Sequence, residues 1–235
     1  MKCMNDILGA YGTTQIPHRE SKGVVILSGG MDSTTLLHLL VRHCESNVVA
    51  LSFNYGQKHV RELECAKEQC NFLGVEHQII ELPFMSSLLM STLLAGGADI
   101  PSGHYAEETM KQTVVPNRNM IMSSIAIGLA QSRKMDFLAL GVHAGDHAIY
   151  PDCRKEFIAA LDHCAQLSDW HGIRVLAPFQ ELTKKEIFEI GLSLKPAIDY
   201  TKTWTCYRGG KRPCGTCGSC TERDEAWKAI EGGKA

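Results

Sequence analysis

No apolar run in this chain approaches the roughly 20 residues a bilayer-spanning helix needs, so no membrane span is expected. The first 22 residues hold no apolar stretch of secretory type, which leaves no targeting signal to expect there. There is no surplus of positive charge: the formal net charge is −2, which argues against a protein that grips nucleic acid directly. Internal repeats and low-complexity tracts are absent, which excludes solenoids and disordered arrays. One local absence stands out. Between Lys22 and Lys58 there is no lysine, although a glycine-rich turn of phosphate-binding type lies in that interval. What remains is a chain of 235 residues, 44% hydrophobic and 21% charged, long enough for one α/β domain with an appendage.

Short apolar, β-branched runs at 23–28, 46–53, 76–82, 136–143 and 173–179 read as strands. Helical periodicity fills 32–43, 58–74, 83–94, 120–134, 151–168 and 183–194, the last opened by a capping box of Thr183 and Glu186. The strands are apolar throughout rather than alternating, as expected where both faces are covered. The predicted fold is therefore α/β: a doubly wound parallel five-stranded sheet with helices on both sides. The expected units are residues 1–22 as a loose arm, 23–198 as a nucleotide-binding α/β domain, and 199–235 as a small cysteine module. Residues 95–113 lack periodicity and read as a long surface loop, a common place for a lid. Ligands of such sheets bind beyond the carboxyl ends of the strands, which points at 28–33, 53–59, 115–119 and 141–154.

The first of these places reads Ser28-Gly29-Gly30-Met31-Asp32-Ser33-Thr34. Its glycines let main-chain N–H groups approach an anion, Ser28, Ser33 and Thr34 add hydroxyls, and the helix that follows contributes its positive end. Together they make a pyrophosphate cradle without a lysine. Asp32 is unexpected in an anion site; it either helps hold Mg²⁺ on the phosphates or caps the helix. A plain strand-to-helix turn uses the same residue types. The whole S-G-G-x-D-S string after a first strand is more specific, and it resembles the PP-loop ATP pyrophosphatases. That resemblance implies a loop holding the β- and γ-phosphates while the α-phosphorus meets the substrate.

Ten cysteines are unevenly spread. Six are scattered, which suits a reducing compartment, so a cytoplasmic location is expected. Cys206, Cys214, Cys217 and Cys220 are clustered among glycines that allow tight turns. Four thiolates at this spacing close a tetrahedral Zn²⁺ site, and a closed shell makes the metal structural. Such sites supply roughly 10–16 kcal/mol of apparent binding energy. An iron–sulfur cluster uses the same ligand set and stays open beside zinc.

Three other stretches carry polar groups at strand ends. In "FNYGQKH", Lys58 and His59 can meet phosphates or substrate, or the segment is a polar turn. In "VPNRN", Arg118 can grip a carboxylate or phosphate bidentately, while Asn117 and Asn119 read amides or cap a helix. In "GVHAGDHAIYPDCR", His143, Asp146, His147, Tyr150, Asp152 and Arg154 suit a metal site, acid–base chemistry or a surface loop.

Taken together, "SGGMDST", "FNYGQKH", "VPNRN", the "H…D…YPDCR" segment and the terminal "CY…CGTCGSC…R" resemble the 7-cyano-7-deazaguanine synthase family of the PP-loop superfamily. The strings span residues 24–223; the departures are the N-terminal extension and the detail of the 95–113 loop. The resemblance implies a PP-loop, adenine-nucleotide α-hydrolase-like fold, a homodimer, and a ligase that uses ATP, Mg²⁺ and ammonia. It implies that 7-carboxy-7-deazaguanine is adenylated, aminated to the amide, adenylated again and released as the nitrile. ATP would be held by Leu27, Ser28, Gly29, Gly30, Met31, Asp32, Ser33, Thr34, Thr35, Leu36 and Leu37. Lys58, His59, Asn117, Arg118 and Tyr150 would contact substrate. His143, Asp146, Asp152 and Arg154 would carry the chemistry, and Cys206, Cys214, Cys217 and Cys220 would hold structural Zn²⁺. A PP-loop tRNA thiolase is the other enzyme reading; it needs a persulfide-bearing cysteine, for which only Cys153 lies near the predicted site, and a basic face. An amide-forming enzyme that stops one step short is a third.

Overall fold

A computed structural model describes residues 4–13, 15–45, 47–104 and 108–232. Five parallel strands are ordered β3-β2-β1-β4-β5, with β1 (Gly23–Ile26) at the centre. Before it comes α1 (Met4–Gly9); after it come α2 (Met31–His43), β2 (Val48–Asn54), α3 (Glu62–Leu73) and β3 (Glu76–Glu81). Then follow α4 (Phe84–Leu88), α5 (Arg118–Ser132), β4 (Phe137–Ala139), α6 (Lys155–Leu167), β5 (Arg174–Leu176), α7 (Lys184–Ser193) and α8 (Gly218–Glu231). Successive strand residues point to opposite sides. Val24, Leu51 and Leu138 enter one core with α5 and α6, while Val25, Ala50 and Ala139 enter the other with α2, α3 and α7. The chain reverses direction across the sheet between β1 and β4, so the crevice lies above their carboxyl ends.

The expected doubly wound sheet is therefore present, with corrections at particular elements. β3 is an edge strand whose residues are exposed or half-buried, not covered on both faces. The helix expected over 83–94 stops at Leu88. Ser86 and Ser87 turn their hydroxyls back to the carbonyls of Pro83 and Phe84, and Leu94 instead bridges Gln57 as extended chain. The helix expected from 151 starts at Lys155, because Pro151–Cys153 form a 3₁₀ turn and Arg154 is extended. Helix α3 starts at Glu62 rather than Lys58, which leaves His59 free to face the crevice. The arm read as loose carries α1, whose Met4 and Leu8 are fully buried against α2. The cysteine module packs back on the sheet domain: Trp227 of α8 meets the Phe188 ring edge-on at 5.1 Å. Among the described residues, no helix is long and apolar enough to cross a membrane.

Candidate active site

The glycine turn is held open by its own side chains. Ser28 Oγ and Ser33 Oγ lie 2.9 Å apart, and the amides of Gly30 and Ser28 donate to Ser28 Oγ and Ser33 Oγ respectively. Gly30 occupies the N-cap of α2 with no side-chain cap, so the first amides of that helix remain available for an anion. Gly29 has a φ of 82°, and a Cβ there would lie 2.0 Å from the carbonyl oxygen of Glu62. Only glycine lets the turn sit this close to α3.

The lysine missing from the loop arrives from elsewhere. Lys184, the first residue of α7, is buried, and its Nζ lies 3.1 Å from Asp32 Oδ2 and 2.8 Å from Glu222 Oε2. Burial alone would lower its pKa, but Asp32 and Glu222 hold the ammonium above its ordinary value. His143 is buried beside this group. Its Nδ1 accepts from the amide of Gly145, so its proton sits on Nε2, which faces Asp32 at 3.9 Å, Asp146 at 3.6 Å and Glu222 at 3.9 Å. The amide of His143 in turn donates to Asp146 Oδ2, which fixes that carboxylate. Asp32 does not cap α2. Its Oδ1 is buried without a hydrogen-bond partner, a donor set that fits a divalent cation shared with Asp146.

From this acidic end the cavity, about 210 Å³, runs toward the end of β2. There Tyr55, His59, Glu62, Arg118, Tyr150 and Tyr207 line it. Gln57 donates to Glu62 Oε1 at 3.0 Å and to the Phe53 carbonyl, and so anchors the carboxyl to the strand. Burial pushes the Glu62 carboxyl up to about 8 against the pull of Gln57 and Arg118. Burial, with Arg118 nearby, drives His59 down to about 3, so that histidine is neutral. Tyr150 Oη bonds Thr113 Oγ1 at 2.8 Å and Tyr207 Oη at 3.2 Å, joining the 95–113 segment, the 141–154 loop and the cysteine module in one wall.

Not every predicted residue reaches this cavity. Of the eleven expected at ATP, Leu27, Ser28, Gly30, Met31, Asp32 and Ser33 line it. Gly29 backs onto α3, Thr34 is buried behind the turn, Thr35 bonds Tyr200 Oη at 2.7 Å, and Leu36 and Leu37 are core. Lys58 points away: its Nζ donates to the carbonyls of Gly97 and Ala98. Asn117 holds a left-handed conformation at the start of α5 and does not line the cavity. Asp152 accepts from the Asn119 amide at 3.0 Å and so caps α5, while Arg154 is exposed and donates to the His147 carbonyl. Both are occupied in holding the loop together, outside the cavity wall. Conversely, Lys184, Glu222, Tyr55 and Glu62 escape the sequence reading. Lys184 opens α7 one residue past its N-cap Thr183, on the far side of the loop that leaves β5, a position that strand-end logic could have flagged; Glu222 had no such signal.

The sulfurs of Cys206, Cys214, Cys217 and Cys220 all lie within 4.8 Å of one another, compatible with a single metal ion. Tetrahedral thiolates at a zinc ion stand about 3.8 Å apart, so only small closure is needed. The amides of Cys214 and Cys217 donate to Cys206 Sγ and Cys214 Sγ, the polarity a thiolate requires. Hydrogen bonds from Cys217 and Cys220 hold the Cys206 thiol well below its ordinary value, and Cys220 is pushed up in return. Four thiols so close need a cation to ionise together. The module also clasps the 95–104 stretch. Ser102 bridges Cys217, the Gly103 amide donates to the Thr216 carbonyl, and Arg208 donates to the Ile100 carbonyl and Ser102 Oγ.

Residues 22–231 match the family described as "Queuosine biosynthesis protein QueC". A relative from Hahella chejuensis named 7-cyano-7-deazaguanine synthase is 50% identical over 215 residues, covering 92% of this chain and 90% of its own length. One of the same name from Caldicellulosiruptor saccharolyticus is 49% identical over 209 residues, covering 89% and 92%. Among solved structures, the U34-tRNA thiolase NcsA from Methanococcus maripaludis, with its [4Fe-4S] cluster, shares the fold at a TM-score of 0.51 and 15% identity. The likeness covers 96% of this chain and 77% of that one.

Proposed function

The chain belongs to the QueC family of queuosine-biosynthesis proteins, and from that premise we propose that it converts 7-carboxy-7-deazaguanine and ammonia to 7-cyano-7-deazaguanine at the expense of two ATP. In the first round a carboxylate oxygen attacks the α-phosphorus and pyrophosphate leaves. Ammonia then displaces AMP at the acyl carbon and sheds a proton, giving the amide. In the second round the amide oxygen attacks a new α-phosphorus, pyrophosphate leaves, and loss of AMP and two protons yields the nitrile. Both rounds activate an oxygen at the α-phosphorus of an ATP, so one cavity serves both.

The observation that carries this reading is that the glycine turn, the 141–154 loop and the cysteine module, motifs far apart in the chain, line a single cavity. The amides and hydroxyls of Ser28 to Ser33 bind the departing pyrophosphate, and Lys184 supplies the charge the turn lacks. Mg²⁺, for which Asp32 and Asp146 are the fitting ligands, would neutralise the phosphates when bound. His143, fixed with its proton on Nε2, orients those carboxylates. The four cysteines would hold a structural Zn²⁺ that keeps Thr205, Tyr207 and Ser219 in the cavity wall. Cys153 also lines the cavity, but burial pushes its thiol well above the ordinary range, which disfavours the thiolate that a thiolase needs.

Incubation of the full chain with ATP, Mg²⁺, ammonia and 7-carboxy-7-deazaguanine, followed by mass spectrometry, tests the reading. AMP, pyrophosphate and the nitrile are expected. ADP and phosphate in their place would overturn the adenylation chemistry, and accumulation of the amide would show an enzyme that stops one step short.

A further inference from the structure

The cavity holds a cation that the phosphate site does not use. Arg118, at the start of α5, lines the wall on the β2 side. Among the described residues it forms no ion pair: its fork reaches Tyr55 Oη at 3.4 Å, and its carbon lies 5.9 Å from the centre of the Tyr150 ring. The nearest acids are committed. Asp152 caps α5 through the Asn119 amide, and Glu62, whose carboxyl burial keeps largely protonated at neutral pH, is tied to Gln57. A guanidinium enclosed by two tyrosines, with no carboxylate in ion-pair reach among the described residues and Asp152 acting on it only from farther away, is poised to take an anion's oxygens in its fork.

Two anions belong to the proposed reaction, a phosphate and the carboxylate of the substrate. The phosphates are served at the opposite end by the glycine turn and Lys184. Arg118 is therefore left for the carboxylate. Its fork is donor-only and pairs with both oxygens of a carboxylate; an amide offers one oxygen and two N–H groups, which the fork repels. Resting on the synthase reading above, we infer that Arg118 binds the substrate's carboxylate in the first round and has no equivalent partner in the second. It is thus a residue of the acid-to-amide half of the reaction. The amide, once formed, loses its hold at Arg118 and is free to turn its oxygen to the second ATP.

The test separates the two rounds. Wild type, R118Q and R118K are supplied either with 7-carboxy-7-deazaguanine or with the chemically prepared amide, 7-amido-7-deazaguanine. AMP release gives kcat/KM for each. R118Q should lose about a hundredfold on the acid and less than about fivefold on the amide. R118K, which keeps the charge but not the fork, should fall between on the acid. Conversion of the amide by the same preparation shows that the variant is folded; should R118Q fail to fold, R118K carries the comparison. Equal losses on both substrates would overturn the inference, as would a rise in the KM for ATP in both rounds, which would assign Arg118 to the phosphates. A wild-type chain inactive on both substrates would instead sink the synthase reading on which the inference stands.

Discussion

Gly29, Lys184 and Glu62 each show how one residue constrains the site. Replacing Gly29 with Ala puts a methyl group onto the Glu62 carbonyl at a left-handed φ. The turn must move off α3, and loss of measurable ATP binding by calorimetry is the expected result. Lys184→Met strands the partly buried Asp32 and Glu222 carboxylates, a change whose cost of about 3–5 kcal/mol in fully buried pairs is an upper bound here. A lowered unfolding midpoint together with loss of pyrophosphate release should follow; an active, stable variant would remove Lys184 from the site. Glu62 makes a pH prediction. Its folded value, about 8, lies above its unfolded one, so between the ordinary carboxylate range and about pH 8 the folded chain holds a proton the unfolded chain has lost. Stability from this group therefore falls as pH rises through that window. Calorimetry from pH 5 to 9 should show Glu62→Gln flattening the fall, and an unchanged slope would refute it. The partner each of these residues meets is not legible in sequence, since it depends on what a distant segment brings alongside.

At the scale of elements, more was legible. The strands and the capping box of α7 follow from apolar runs and from Thr183 with Glu186, whose reciprocal bonds are present. Thr183→Ala should cost about 1 kcal/mol of stability. Because Lys184 is the next residue, the same change should raise the KM for ATP, checked by pyrophosphate release at varied ATP. Helix α1 was missed because six residues are too few to show periodicity; burial of Met4 and Leu8 makes it, not propensity. The segment after Pro83 looked helical because its leucines recur at helical spacing. Leu93 and Leu94 are buried instead through an extended stretch pinned to Gln57 and Lys58. The 151–154 turn misled for a related reason, since Asp152 serves another helix rather than its own.

For the molecule as a whole, the cysteine module belongs to the site rather than hanging from it. It reaches the cavity through Trp204, Thr205, Tyr207 and Ser219, and the 95–104 stretch through Cys217 and Thr216. Removal of the proposed metal by a strong chelator should abolish hydrogen-exchange protection at 98–104 and 204–221 while β1 and β2 keep theirs. Loss spread evenly over the sheet would show that the module holds up the fold, not the wall. On the proposed function, the position of Lys184 has a consequence for how ATP would arrive. Its charge is already neutralised by Asp32 and Glu222, so an incoming phosphate does not simply add to a bare cation but must take a partner from two carboxylates. Entry is an exchange of counter-ions inside a desolvated cleft, little screened by dissolved salt, and affinity for the nucleotide should vary only weakly with ionic strength.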